Sequence, residues 1–178
     1  MIIVLMGVAG AGKTTVGEAL AARLGCGFAD ADRFHSPENV AKMRRGEGLT
    51  DADRTPWLGA LNAAIRERQA KGETVVLACS SLKRTYRERL ASGVPADELR
   101  FVYLAVDPQL AGERLRRRTG HFASESLVAS QFEALELPTE AEAVLVDASL
   151  PVQEIVARIV AALPKSHQAA QRQHLIGH

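Results

Sequence analysis

The sequence predicts an α/β fold around a parallel sheet, and three observations lead there. Five short segments are near-continuously apolar, as strands covered on both faces are. Helical apolar patterns alternate with them, which is the order that produces parallel pairing through crossover helices. The first segment runs straight into Gly7-Val8-Ala9-Gly10-Ala11-Gly12-Lys13-Thr14, and Val16, Leu20 and Leu24 follow at helical spacing. A strand, a G-x-x-x-x-G-K-[ST] loop and a helix in that order make a phosphate-binding loop.

Taken in order, the strands are Ile2–Met6, a weak one around Gly27–Ala29, Thr74–Cys79, Phe101–Val106 and Ala143–Val146. Thr50 and Asp53 form an approximate capping box, after which Trp57, Leu58, Leu61 and Ile65 make an apolar stripe. Asp107-Pro108 reads as an N-cap with proline at the first helical position, leading to Leu110 and Leu115. Ser149 and Pro151 are expected to open the last helix in a similar way. That helix carries Ile155, Val156 and Ile159 on one apolar face. The pattern ends after Pro164, so residues 1–164 read as one domain and the polar Lys165–His178 as a disordered tail. Two insertions, 33–72 and 114–137, interrupt the simple alternation.

Composition narrows the function. The 178 residues suit a single core, and 22 Lys+Arg against 21 Asp+Glu favour neither nucleic acid nor a membrane surface as partner. Aromatic residues make up only 4%, leaving few platforms for stacked bases. No apolar stretch nears the roughly 18 residues of a membrane span. The N-terminal apolar run lacks a basic segment before it, so it reads as a core strand and not a signal peptide. Cys26 and Cys79 are isolated, which fits a reducing cytoplasm.

The loop implies ATP. Backbone N–H groups of Gly7, Val8, Ala9, Gly10, Ala11 and Gly12 can close around phosphate oxygens, with Thr15 continuing into the helix N-terminus. Lys13 would reach the β- and γ-phosphates, and the Thr14 hydroxyl would ligate Mg²⁺. Asp30 and Asp32 sit at the carboxyl end of the second strand, the end that faces the ligand crevice of a parallel sheet. Asp32 is assigned to an acceptor hydroxyl and Asp30 to a supporting Mg²⁺-water role. His35 is a candidate hydrogen-bond donor to the acceptor, though a lone His is more often a surface or capping residue.

Arg54 has two readings, a surface salt bridge with a neighbouring aspartate or a fork for an acceptor carboxylate or phosphate. Ser80-Ser81-Leu82-Lys83 follows the third strand; Ser81 is either a helix N-cap before a solvated Lys83 or part of an anionic acceptor's site. Arg114, Arg116, Arg117 and Arg118 crowd the start of the second insertion, and Arg114 and Arg118, one turn apart, are favoured as phosphate-facing. Gly120 reads as a hinge or helix end. Asp107 and Asp147 end strands but read as turn or capping residues, so neither is assigned to metal.

Beyond the loop, Asp30-Ala31-Asp32-Arg33-Phe34-His35, Thr50-Asp51-Ala52-Asp53-Arg54 with Pro56-Trp57-Leu58, and Cys79-Ser80-Ser81-Leu82-Lys83 with Tyr86-Arg87 stand together. So do Gly120-His121-Phe122 and Ser130-Gln131-Phe132-Glu133 with Leu135-Glu136. This combination resembles the gluconokinase family of small P-loop carbohydrate kinases, related to shikimate and adenylate kinases. The resemblance implies a P-loop NTPase three-layer fold with sheet order 2-3-1-4-5. It implies transfer of the ATP γ-phosphoryl group to the 6-hydroxyl of D-gluconate, with Asp32 as base or orienting group and Lys13 and Arg118 neutralising charge. His35, Arg54, Lys83, His121 and Gln131 become sugar-acid contacts, insertion 33–72 the acceptor region and 114–137 the lid. A homodimer is implied too. Thr50, Ser81, Ala123-Ser124 and Leu137 depart from the family's usual residues. A shikimate-type kinase is opposed by Cys79-Ser80-Ser81, where that family usually shows a glycine-rich turn. A nucleoside monophosphate kinase is opposed by the few arginines beside aromatics in the first insertion. A regulatory ATPase is opposed by the lack of an Asp in Thr74–Ser80.

Overall fold

The computed structural model describes residues 1–45, 47–119 and 123–164. Its centre is a five-stranded parallel sheet in the order β2-β3-β1-β4-β5. The strands are β1 (Ile2–Met6), β2 (Gly27–Asp30), β3 (Val75–Ala78), β4 (Leu99–Ala105) and β5 (Ala143–Asp147). The helices are α1 (Lys13–Leu24), α2 (Pro37–Arg44), α3 (Asp51–Ala70), α4 (Arg84–Ala91), α5 (Pro108–Thr119), α6 (Ala123–Ala134) and α7 (Val152–Ala162). A 3₁₀ turn, Ala31–Phe34, follows β2 directly.

The alternation of a strand divides the core in two. Ile3 and Leu5 of β1 face one layer, packing with Val16 and Leu20 of α1, Ala111 of α5 and Ile155 of α7. Ile2, Val4 and Met6 face the other, packing with Trp57, Leu61 and Ile65 of α3 and Leu90 of α4. β1 is buried along its whole length, which is why it reads as a continuous apolar run and not as an alternating one. Each large aliphatic side chain taken out of water here contributes about 1.5–3 kcal/mol before the entropy of ordering is subtracted.

Helix starts follow the local chemistry. Thr50 and Asp53 complete a reciprocal capping box, with Asp53 N–H on Thr50 Oγ1 at 3.2 Å and Thr50 N–H on Asp53 Oδ2 at 2.9 Å. Asp107 Oδ1 accepts the Leu110 N–H at 2.8 Å, as the Asp-Pro signal required. The start of α7 differs from expectation. Ser149 does not cap it; its N–H donates to Asp147 Oδ1 at 2.8 Å in a turn, and Pro151 stands at the N-cap with no side-chain bond. Strand ends differ by one or two residues: β4 begins at Leu99, ahead of Phe101, and β5 includes Asp147. Among the described residues no helix is long and apolar enough to cross a membrane. Residues 165–178 lie outside the described chain.

Candidate active site

The loop after β1 is shaped by close approaches that exclude side chains. Gly10 (φ +82°) lies so near α5 that an added Cβ would fall 2.2 Å from the Ala111 carbonyl oxygen. Gly12 (φ +92°) is the N-cap of α1 and offers no side-chain acceptor, and no acidic residue follows in the first turn. The positive end of α1 is therefore left uncompensated beneath the loop, a setting for anions. Val8 and Ala11 turn their side chains into the core, so they present only backbone to the crevice. Lys13 Nζ donates to the carbonyls of Gly7 at 2.9 Å and Val8 at 3.0 Å. Thr14 stands in the first turn of α1 with Thr15 exposed beside it.

Two contacts tie this loop's surroundings together. Gln131, on α6, accepts the Ala9 N–H through Oε1 at 2.6 Å. Arg114, on α5, donates to the Ala148 carbonyl after β5 at 2.8 Å, and an Nη1 of the same side chain would lie 3.9 Å from a Cβ placed on Gly12. Gln131 thus meets the phosphate loop, a contact the resemblance, which assigned it to the sugar acid, did not imply. Arg114 is at the loop's edge. The Arg118 side chain and His121 lie outside the described residues.

The second wall begins where β2 ends. Asp30 Oδ1 accepts the Asp32 N–H at 3.0 Å, so Asp30 caps the 3₁₀ turn that displays the exposed Asp32. Trp57 Nε1 donates to the Ala31 carbonyl at 2.8 Å, fastening this turn to α3. His35 stacks on Trp57, with centroids 4.4 Å apart and rings 11° from parallel. Burial pushes the His35 imidazole below its ordinary value, opposed by the Asp32 carboxylate and reinforced by Arg54. Its Nδ1 is buried without a hydrogen-bond partner. Asp32 and Lys13 both act on the field at Cys79, whose thiol burial pushes up to about 11. Lys13 and Asp32 therefore both lie near the carboxyl end of β3.

The third wall is a cationic cluster. Lys83 Nζ reaches both oxygens of Asp51, at 3.0 and 2.8 Å, and the Tyr86 hydroxyl donates to the same carboxylate. Arg54 stands 3.9 Å from Asp51 Oδ1, donates to the Leu49 carbonyl at 2.5 Å and lies over the Tyr86 ring at 5.9 Å. Ser81 is not an N-cap: it is buried in a left-handed conformation (φ +45°), and Lys83 holds the N-cap position. Nor is Arg54 only a salt-bridge partner of its neighbour, since its shorter contact is to the backbone that precedes α3.

Two residues quoted for the resemblance, but given no role there, take part in the site. Tyr86 and Arg87 open α4 inside a basic, polar stretch that looks like a solvated face. Arg87 is buried, and its Nη1 contacts the carbonyls of Ser81, Leu82 and Glu136 at 3.3, 3.2 and 3.0 Å. Glu136 returns the link by accepting the Arg84 N–H at 2.7 Å. These bonds clamp the end of α6 to the Ser81–Lys83 turn. Nothing in the sequence signals which arginine of such a stretch is buried.

The sheet order, the loop and the crevice at the carboxyl ends of the strands define a P-loop nucleotide-binding α/β protein. An AAA domain family model matches residues 2–140. A probable gluconokinase from Dictyostelium discoideum is 45% identical over 168 residues, covering 89% of this chain and 84% of its own. A gluconokinase from Gluconobacter oxydans is 46% identical over 145 residues, 80% of this chain and 79% of its own. The crystal structure of a gluconokinase from Sinorhizobium meliloti superposes with a TM-score of 0.79 at 45% identity, over 99% of this chain and 97% of that one. The chain belongs to the gluconokinase family.

Proposed function

We propose that the protein transfers the γ-phosphoryl group of ATP to the 6-hydroxyl of D-gluconate, giving 6-phospho-D-gluconate and ADP. One observation carries the reading. The Asp32 carboxylate and the Arg54 guanidinium both act on His35, and Arg54 meets Lys83 at Asp51 and Tyr86, so a hydroxyl and a carboxylate of one polyol acid can be held together. Asp32 orients the 6-hydroxyl and takes its proton as the O6–Pγ bond forms and the bond from Pγ to the β-phosphate oxygen breaks. Lys13, released from its own loop carbonyls, neutralises the β- and γ-phosphate oxygens. Arg114 and Arg118 add charge across the nucleotide, and His121 is assigned to the sugar acid. The transition state is loose, so placement and field matter more than base strength.

Thr14 and Asp30 offer oxygen donors of the kind Mg²⁺ takes. Asp30 Oδ1 already accepts the Asp32 N–H, so Thr14 would hold the ion directly and Asp30 would play the supporting part. Mg²⁺ supplies charge neutralisation at the transferring phosphoryl group. Within the single domain 1–164, residues 33–72 hold the acceptor and 114–137 close over the nucleotide. Free Cys26 and Cys79 accord with a reducing cytoplasm, and by family likeness the working form is a homodimer.

The test is ADP release from Mg·ATP with D-gluconate, its epimers, shikimate and nucleoside monophosphates in parallel. Strong gluconate-dependent turnover yielding 6-phosphogluconate is expected. Turnover with another acceptor alone would leave the phosphate chemistry standing and remove gluconate.

A further inference from the structure

We propose that Asp51 is an internal carboxylate seated in the acid-binding subsite, so that the substrate's carboxylate must displace it. The inference rests on the sugar-acid reading above and sharpens it. Three elements converge on this one side chain. Asp51 comes from the first turn of α3, Lys83 from the turn after β3 and Tyr86 from α4. Lys83 contacts both carboxylate oxygens, at 3.0 and 2.8 Å, Tyr86 donates its hydroxyl, and Arg54 waits at 3.9 Å. That is the donor set a bound carboxylate would find: an ammonium, a phenol and a guanidinium around two oxygens.

Asp51 is poorly suited to a structural role. Its side chain is 64% exposed, and ion pairs so placed contribute little to stability. The capping of α3 belongs to Thr50 and Asp53, and Asp53 has its own cation in Lys42 at 2.7 Å. The Asp51 carboxylate stays ionised, held below its ordinary range by Lys83 first and Tyr86 second. Lys83 and Arg54 therefore carry one compensating negative charge before any ligand arrives. A second carboxylate can take the same donors only by moving Asp51 aside. A neutral polyol need not disturb it. Asp51 thus sets how tightly acids bind relative to their uncharged counterparts.

The experiment compares wild type with Asp51→Asn and Asp51→Ser, titrating D-gluconate and D-glucitol by calorimetry, with melting curves confirming folded protein. Both variants are expected to bind gluconate about two- to fivefold more tightly, the worth of one exposed ion pair. D-glucitol affinity should not change, and the gain should vanish in a Lys83→Ala background. Unchanged or weaker gluconate binding in both variants, with wild-type turnover intact, would overturn the inference alone. In that case Asp51 is a direct partner of the sugar or a support for Lys83. Absence of gluconate turnover in wild type would bring down the gluconate reading and this inference with it.

Discussion

Gln131 Oε1 accepts the Ala9 N–H at 2.6 Å, joining α6 to the phosphate loop across 122 residues of chain. The third residue of the loop is thereby held by a helix from the second insertion and not by the loop's own glycines. Nucleotide affinity should feel the state of α6. Gln131→Met keeps the length and loses the acceptor, and one lost hydrogen bond of this kind is worth about 1 kcal/mol. KM for ATP should rise about fivefold with little change in melting temperature. An unchanged KM would reduce the contact to a packing detail.

Gly10 tests the loop's fit to α5. A Cβ there meets the Ala111 carbonyl oxygen at 2.2 Å in a left-handed backbone, so Gly10→Ala must move backbone against backbone. Overpacking and the conformational penalty together cost about 2–5 kcal/mol. At roughly 2–4 °C per kcal/mol for a chain of this size, the melting temperature should fall by about 4–20 °C. Calorimetry should show ATP binding lost alongside. Gly59, in α3, has nothing within 4 Å of such a Cβ, and Gly59→Ala serves as the control that does not destabilise.

The bond from Trp57 to the Ala31 carbonyl should carry more for catalysis than for nucleotide binding. Trp57→Phe keeps a ring for His35 to stack on but leaves a buried carbonyl without its 2.8 Å partner. Such an orphaned acceptor costs about 1–3 kcal/mol. Because that carbonyl belongs to the turn displaying Asp32, kcat should fall while KM for ATP stays put. A variant whose only change is a lower melting temperature would confine Trp57 to the core.

Asp32→Asn separates binding from transfer. It keeps the shape of the turn and its cap from Asp30, which accepts the backbone N–H and not the side chain. Titration should show ATP affinity preserved, and stopped-time assays should show turnover down by orders of magnitude. Turnover near that of wild type would remove Asp32 from the proton's path.

Much of this was legible because the decisive signals are local. The phosphate loop needs its glycines and lysine at fixed offsets, and β1 had to be apolar throughout because helices cover it on both faces. The Thr50–Asp53 box and the Asp107 cap are spacings of three residues, readable in any sequence. What stayed hidden is long-range. The resemblance assigned Gln131 to the sugar acid, and nothing near it in sequence reveals that its Oε1 also meets the Ala9 N–H at 2.6 Å. Arg87 and Arg84 look alike in sequence, yet one is buried on three carbonyls and the other is exposed. A helix cap was one of two readings of Ser81, but it is buried with a left-handed backbone (φ +45°) and Lys83 takes the N-cap position.

His35 gives a pH signature with a definite sign. Burial against Trp57 lowers its proton affinity in the folded protein, while the unfolded chain keeps the ordinary value of 6.5. Between the depressed folded value and 6.5 the unfolded state binds more protons, so stability rises with pH across that window. The contribution is fully present above 6.5 and is lost as pH falls through the folded value. Melting temperature should therefore drop from pH 7.5 to pH 5.5 in wild type, in the range where His35 must charge. His35→Gln removes the titrating group, and its melting temperature should change less over the same range. Equal slopes in the two proteins would mean that His35 titrates alike folded and unfolded, and that the acid sensitivity belongs to other groups.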